Sequence, residues 1–168
     1  MPKGYRGNHS ALSFLWLTLL VFLADWWTKK LALRDLIPYE AIPIFPSLNF
    51  TLAFNTGAAF SFLDGSIFWS NLLFGCIAFA ISVGILIWLY RLSQEDRLMS
   101  IALTLILGGA LGNLWDRIWH KHVIDFIDLY LGKWHWPVFN LADAAVCLGA
   151  ILIIYKWTKA EKTNSFTR

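Results

Sequence analysis

Asp125 and Asp143 are the residues of this chain whose type and setting best suit chemistry. Each is an acid in an otherwise apolar stretch. Asp125 lies in Val123-Ile124-Asp125-Phe126-Ile127, and Asp143 in Phe139-Asn140-Leu141-Ala142-Asp143-Ala144, with a long apolar run directly behind it. A carboxylate near hydrocarbon costs several kcal/mol unless it is paired, solvated or protonated. Packing therefore gives no reason for two. Two carboxyl groups close together do not both ionise easily, so one proton is shared. One can act as a general base on a bound water while the other donates to a carbonyl oxygen, as in aspartic proteases. The spacing leaves a second reading of Asp143 open. It can cap the helix that follows, where the positive end favours a carboxylate anyway.

Other candidates surround these two. Asn113, Asp116 and Arg117 sit three and four residues apart, so on a helix they are expected to face roughly one way. Arg117 would then pair with Asp116 or bind a substrate carbonyl, or the group is an ordinary charged helix terminus. Asp25 and Lys29 are four apart and read as an ion pair anchoring a helix end. Asn55-Thr56-Gly57 reads as a turn. His120 and His122 lie near Asp125 and Asp128, but no third His is positioned nearby, and no metal site is expected. Asn49-Phe50-Thr51 is a weak glycosylation match. Cys76 and Cys147 stand in apolar runs without metal spacing and are expected to be buried small hydrophobes.

These residues must be positioned by elements that suit a membrane. Of the 168 residues, 58% are hydrophobic and 15% are charged, against about 25% charged in an average soluble domain. Four stretches are long enough to cross a bilayer, which takes about 20 apolar residues. They run approximately over 11–30, 67–90, 98–116 and 138–157 in a single domain, 1–168. Lys3 and Arg6 precede the first stretch like a signal peptide. No small-residue cleavage site follows, so an uncleaved first span is expected.

Four spans put both termini on one side. Lys3, Arg6, Arg91, Arg97, Lys156, Lys159, Lys162 and Arg168 share that side, against Lys29, Lys30, Arg34, Arg117, Lys121 and Lys133 on the other. The excess slightly favours cytoplasmic termini. Asp25, Asp35, Glu40, Asp64, Asp116, Asp125, Asp128 and Asp143 all fall on the outer side. Trp26, Trp27, Trp69, Trp115, Trp119, Trp134 and Trp136 cluster there too, at headgroup level.

Two outer segments join the spans. In the first, Pro38, Pro43 and Pro46 break any helix, and Leu48, Phe50, Leu52 and Phe54 alternate with Asn49, Thr51, Ala53 and Asn55. Period two predicts a strand, hence a small sheet at the outer surface. The second, Arg117 to Pro137, is expected to be a short interfacial helix or half-embedded loop. Gly108-Gly109, with Ala110 and Gly112, predicts close helix packing rather than a phosphate loop.

Five motifs in this order resemble those of the lipoprotein signal peptidase (type II signal peptidase) family of bacteria. They are Asp25-Trp26-Trp27-Thr28-Lys29, Asn55-Thr56-Gly57-Ala58-Ala59-Phe60, Gly112-Asn113-Leu114-Trp115-Asp116-Arg117, Val123-Ile124-Asp125-Phe126 and Phe139-Asn140-Leu141-Ala142-Asp143. Trp26 departs from the Gln often found there. The resemblance implies four transmembrane helices with a periplasmic β-cradle and a short interfacial segment between spans 3 and 4. It implies an aspartic endopeptidase of the inner membrane that removes the signal peptide from diacylglyceryl-modified prolipoproteins, cutting before the lipidated cysteine. It makes Asp125 and Asp143 the catalytic dyad, and it puts Asp25, Lys29, Asn55, Gly57, Asn113, Arg117 and Asn140 around the substrate, with Asn140 bracing Asp143. It implies no cofactor, and it leaves membrane lipids and the precursor as partners of a monomer that binds no nucleic acid. Two rivals compete with it. A proton-coupled carrier or small channel would need ionisable groups strung across the whole membrane, whereas the second and third spans are uncharged inside. A noncatalytic assembly factor has no need of two acids at one level.

Overall fold

The computed structural model of the protein describes residues 10–57 and 67–165. Lys3, Arg6, Ala58, Ala59, Phe60, Asp64 and Arg168, used above, lie outside them. The four long helices are α1 (Leu15–Asp35, entered by a 3-10 turn at Ala11–Phe14), α2 (Ile67–Arg91), α3 (Arg97–Trp119) and α4 (Leu141–Ser165). Stretches Ala11–Asp35, Phe68–Arg91, Arg97–Trp119 and Leu141–Lys159 are long and apolar enough to cross a bilayer. Their outward faces carry exposed Leu19, Leu23, Phe79, Ile151 and Ile154, a density of apolar surface suited to hydrocarbon rather than water. Cys76 and Cys147 are exposed on these faces, not buried as expected. An apolar run in a spanning helix is apolar on its lipid side as well, so hydropathy does not report burial.

α3 is the central helix. Of its apolar window 56% is buried within the protein, against 22%, 17% and 11% for the stretches of α1, α2 and α4. Small residues permit this, because helices in lipid associate by close packing. A Cβ on Gly112 would stand 2.5 Å from Asp25 Oδ2, and one on Gly109 would run into the carbonyl oxygen of Ala142. Glycine there lets α1 and α4 bring functional groups against α3. Towards the end of the bundle where α2 gives way to α3, Ile85, Leu89, Met99, Leu103 and Leu107 form an apolar cluster with Ala11. Asp96 caps α3 by accepting from Met99 N at 3.3 Å and also pairs with Lys156.

At the end of the bundle that carries Asp25, Asp116 and Asp143 lies an antiparallel sheet in the order β1 (Ala41–Phe45), β2 (Leu48–Asn55), β3 (Val123–Leu131), β4 (Trp134–His135). β1 is an exposed edge, where Pro43 is tolerated. β3 replaces the interfacial helix or loop expected after the third span. Its period was masked because Val123, Ile124, Asp125 and Phe126 are all buried. A strand covered on both faces shows no alternation, and its partner β2 lies about seventy residues earlier.

The β2–β3 register shifts between Phe50 and Ala53, with Phe50 opposite Ile127 and Ala53 opposite Asp125. Asn49 and Asn55 are an even number of residues apart and would share a face, while Asp125 and Asp128 are an odd number apart and would not. The inserted residue switches faces, so that Asn49 meets Asp128 and Asn55 meets Asp125.

Candidate active site

Residue Phe139 staples the start of α4 to β3. Its N–H donates to Ile127 O at 3.0 Å, and its carbonyl accepts from Phe126 and Ile127. This sets Asn140, fully buried at the N-cap of α4, between the two acids. Asn140 Nδ2 lies 2.7 Å from Asp125 Oδ1, 3.0 Å from Asn113 Oδ1 and 3.3 Å from Ile124 O. Asn140 Oδ1 accepts from Asp143 N at 2.9 Å, and Asp143 Oδ2 accepts from Asn140 N at 3.2 Å. This reciprocal pair is a capping box with an acid at its third position. Asp143 therefore caps its helix and also stands in the cluster around Asp125, so the two readings of it are compatible.

The other oxygens are also held. Asn113 Nδ2 donates to Asp143 Oδ1 at 2.7 Å, and Asn55 Nδ2 to Asp125 Oδ2 at 3.0 Å. Asn55 is oriented by an Asx turn, in which its Oδ1 accepts from Gly57 N at 3.0 Å. Gly57 has φ +77°, and a Cβ there would also strike the Phe74 ring. Burial, and then the charge of Asp143, push the Asp125 carboxyl up to about 6, against hydrogen bonds from Asn55 and Asn140 and the charge of Lys29.

Behind this layer lies a buried ion cluster. Lys29 Nζ is 2.7 Å from Asp25 Oδ2, 2.8 Å from Asp116 Oδ2 and 3.0 Å from Asn113 Oδ1. The contact with Asp25 Oδ2 is a charge contact that lacks hydrogen-bond angles. Asp25 Oδ1 accepts from Ala142 N at 2.8 Å in the first turn of α4, and Asp116 Oδ2 accepts from Ile124 N at 3.2 Å at the head of β3. One ammonium thus ties together the three segments that carry the site. The expected i,i+4 ion pair of Asp25 and Lys29 is formed, but it lies inside the protein, the two residues being 0% and 2% exposed, and α1 runs on beyond it to Asp35.

The expectation for α3 changes as well. Asp116 turns to Lys29 and β3. Arg117 turns towards α2, giving Nη1–H to Asn113 O at 3.2 Å and lying 5.5 Å from the Phe74 ring, while Asn71 Nδ2 donates to Arg117 O. Arg117 remains within electrostatic range of Asp143 and Asp125. Asp116, a candidate by its spacing, stands outside the set that the resemblance puts around the substrate, although its place in the Gly112–Arg117 motif marks it. Asp128 was likewise passed over as an acid three residues after Asp125.

Around one small volume, then, the chain sets two carboxyl groups, three asparagines and an arginine. Such a site can hold water, move a proton and polarise an amide.

A family model described as signal peptidase (SPase) II matches residues 17–159. The lipoprotein signal peptidase of Photorhabdus laumondii is 49% identical over 145 residues, covering 86% of this chain and 87% of that protein. That of Escherichia coli O157:H7 is 48% identical over 156 residues, covering 91% and 95%. Two solved structures, each described as a bacterial membrane enzyme determined by the in meso method, superpose with TM-score 0.78 at 29% identity. One covers 90% of both chains, the other 94% of this chain and 97% of its own.

Proposed function

The chain belongs to the signal peptidase II family, and from that premise we propose how its residues carry out the reaction. It is a multi-pass membrane peptidase that removes the signal peptide from prolipoproteins. In our reading it is one peptidase domain, monomeric, in the inner membrane, with cytoplasmic termini and its site at the outer face. Its substrate carries a diacylglyceryl group on the cysteine after the scissile bond. Such a substrate presents that bond at headgroup level, and the buried acids and the buried lysine of this chain lie towards the outer ends of its helices.

Asp125 and Asp143 share one proton and grip one water. The ionised carboxylate takes a proton from that water as its oxygen attacks the scissile carbonyl carbon. The protonated partner donates to the carbonyl oxygen. The tetrahedral diol then collapses, the C–N bond breaks, and the amine leaves with a proton returned by the acid that acted as base. No acyl-enzyme forms. Asp125 holds the resting proton, because burial and a like-charged neighbour both disfavour its ionised form. Asn55, Asn113 and Asn140 fix the carboxyl planes. Arg117 and the Asn55–Gly57 turn face the substrate backbone, while Asp25, Lys29 and Asp116 hold the scaffold.

The observation that carries this reading is Asn140, which touches Asp125 with its side chain and Asp143 with its backbone N–H. The test is cleavage of a synthetic diacylated precursor by purified protein, followed by mass. Asp143→Asn is expected to insert and unfold normally yet give no product. Normal turnover by that variant would refute the assignment.

A further inference from the structure

We propose that Asp128 is a positioning residue for the reaction: its carboxylate locks the bulge in β2 and so keeps Asn55 against Asp125. This role rests on the reading of Asp125 as the proton store of the dyad.

Asn49 and Phe50 pair with Asp128 and Ile127, whereas Ala53, Phe54 and Asn55 pair with Asp125, Ile124 and Val123. Thr51 and Leu52 therefore share one partner position, that of Phe126. In this register Ala53 and Asn55 lie on the same face of the sheet as Val123 and Asp125. Without the extra residue the first register would run on, set Leu52 opposite Asp125 and turn Asn55 to the other face.

Asp128 stands where the two registers meet. Its Oδ2 accepts from Asn49 Nδ2 at 3.1 Å, on the residue opposite, and from Thr51 Oγ1 at 3.2 Å, inside the bulge. One oxygen thus holds β2 on both sides of Phe50. His135 Nδ1 lies 2.8 Å from the other oxygen, which turns Oδ2 towards β2. Asp128 is 3% exposed, so losing either donor leaves a buried polar group short of a partner. Leu52 is buried with Ile124 and Phe126, and its carbonyl accepts from Tyr39 N at 2.9 Å. Apolar contact is non-directional, however, whereas the two bonds to Asp128 form only with both donors at about 3 Å. The polar clamp is what reads register.

The effect reaches the dyad through one hydrogen bond. Asn55 Nδ2 donates to Asp125 Oδ2 at 3.0 Å, which favours the ionised acid and opposes the influences that raise it. When β2 slips, that bond is lost and Asp125 keeps its proton to higher pH.

The readout is the alkaline limb of kcat/KM on the diacylated precursor, expected near pH 6 in the parent. Asp128→Leu removes the acceptor. It is expected to move the limb upward by about half a pH unit or more, as Asn55→Ala does, and the double variant should move it no further than Asn55→Ala alone. Loss of the negative charge at position 128 acts in the opposite sense, because a like charge raises Asp125. Asp128→Asn keeps an acceptor oxygen for β2 and is expected to leave the limb within about 0.2 unit. Thr51→Val keeps the side-chain shape and leaves Asp128 two partners, so it carries the test should Asp128→Leu fail to fold. A smaller upward shift is expected from it, and none in an Asn55→Ala background. An unmoved limb, shifts that add to that of Asn55→Ala, or an equal upward shift in Asp128→Asn would overturn the proposal. Failure of the dyad reading shows differently, as a parent profile without a limb between pH 5 and 8.

Discussion

Asp125 and Asp128 stand three residues apart on β3, on opposite faces, and their surroundings treat them in opposite ways. Asp125 looks towards α4, where Asp143 adds a second negative charge, while Lys29 lies in a deeper layer. Its proton is held up to about 6. Asp128 looks towards β2 and β4. Burial pushes its carboxyl up, but hydrogen bonds from His135, Asn49 and Thr51 outweigh that and hold it below the usual value. His135 Nδ1 lies 2.8 Å from Asp128 Oδ1, Asn49 Nδ2 donates to Oδ2 at 3.1 Å, and Thr51 Oγ1 does so at 3.2 Å. Both side chains are nearly inaccessible to solvent, but Asp125 lies deeper among protein atoms, so loss of hydration is the largest influence raising it. The neighbours differ as well. Donors and a potential cation make a carboxylate structural, while a second carboxylate at close range makes it a proton carrier.

The largest effect should come from exchanging the two. Asp125→Asn is expected to lower kcat by roughly a thousandfold or more, while Asp128→Asn stays within about tenfold. Similar losses in both would erase the distinction. Lys29→Met comes next. It leaves Asp25 and Asp116 without their counter-ion in the interior, and removing one partner of such a buried cluster costs about 3–5 kcal/mol. Thermal unfolding in micelles measures this, and a variant as stable as the parent would show that Lys29 ties nothing together.

pH separates the acids by sign. The ordinary carboxyl value is 3.8 and Asp125 holds its proton to about 6, so the unfolded chain ionises first. The stability contributed by Asp125 is present below 3.8 and is lost as pH rises through about 6. For Asp128, with a lowered value, the contribution is present above 3.8 and disappears as pH falls through its folded value. In the reaction, kcat/KM should decline on the alkaline side of about pH 6, by about tenfold per unit, as the free enzyme loses its shared proton. A flat profile from pH 5 to 8 would contradict proton storage at Asp125. The smallest effect belongs to His135, about half exposed. His135→Ala should cost less than about 1 kcal/mol and leave turnover unchanged.

The resemblance of this chain to its family was legible in five short motifs, and its spans in apolar run length. The geometry between the motifs was not. Asn113, Asp116 and Arg117 occupy one helical turn and were expected to face together, yet α3 is packed on several sides at once. Asp116 serves α1 and β3 while Arg117 serves the side towards α2. β3 escaped notice because a strand buried on both faces carries no alternation, and its register depends on a bulge in β2.

By itself the sequence determined how many times the chain can cross a membrane, which end collects the acids and which acids stand out, because transfer into hydrocarbon is additive over residues and blind to neighbours. Only the tertiary structure decided which charges meet. Lys29 became an internal tie, Asn140 a bridge between two carboxyl groups and Asp128 a structural anchor. Electrostatic roles depend on distances of about 3 Å between residues far apart in the chain, and no local pattern encodes those distances.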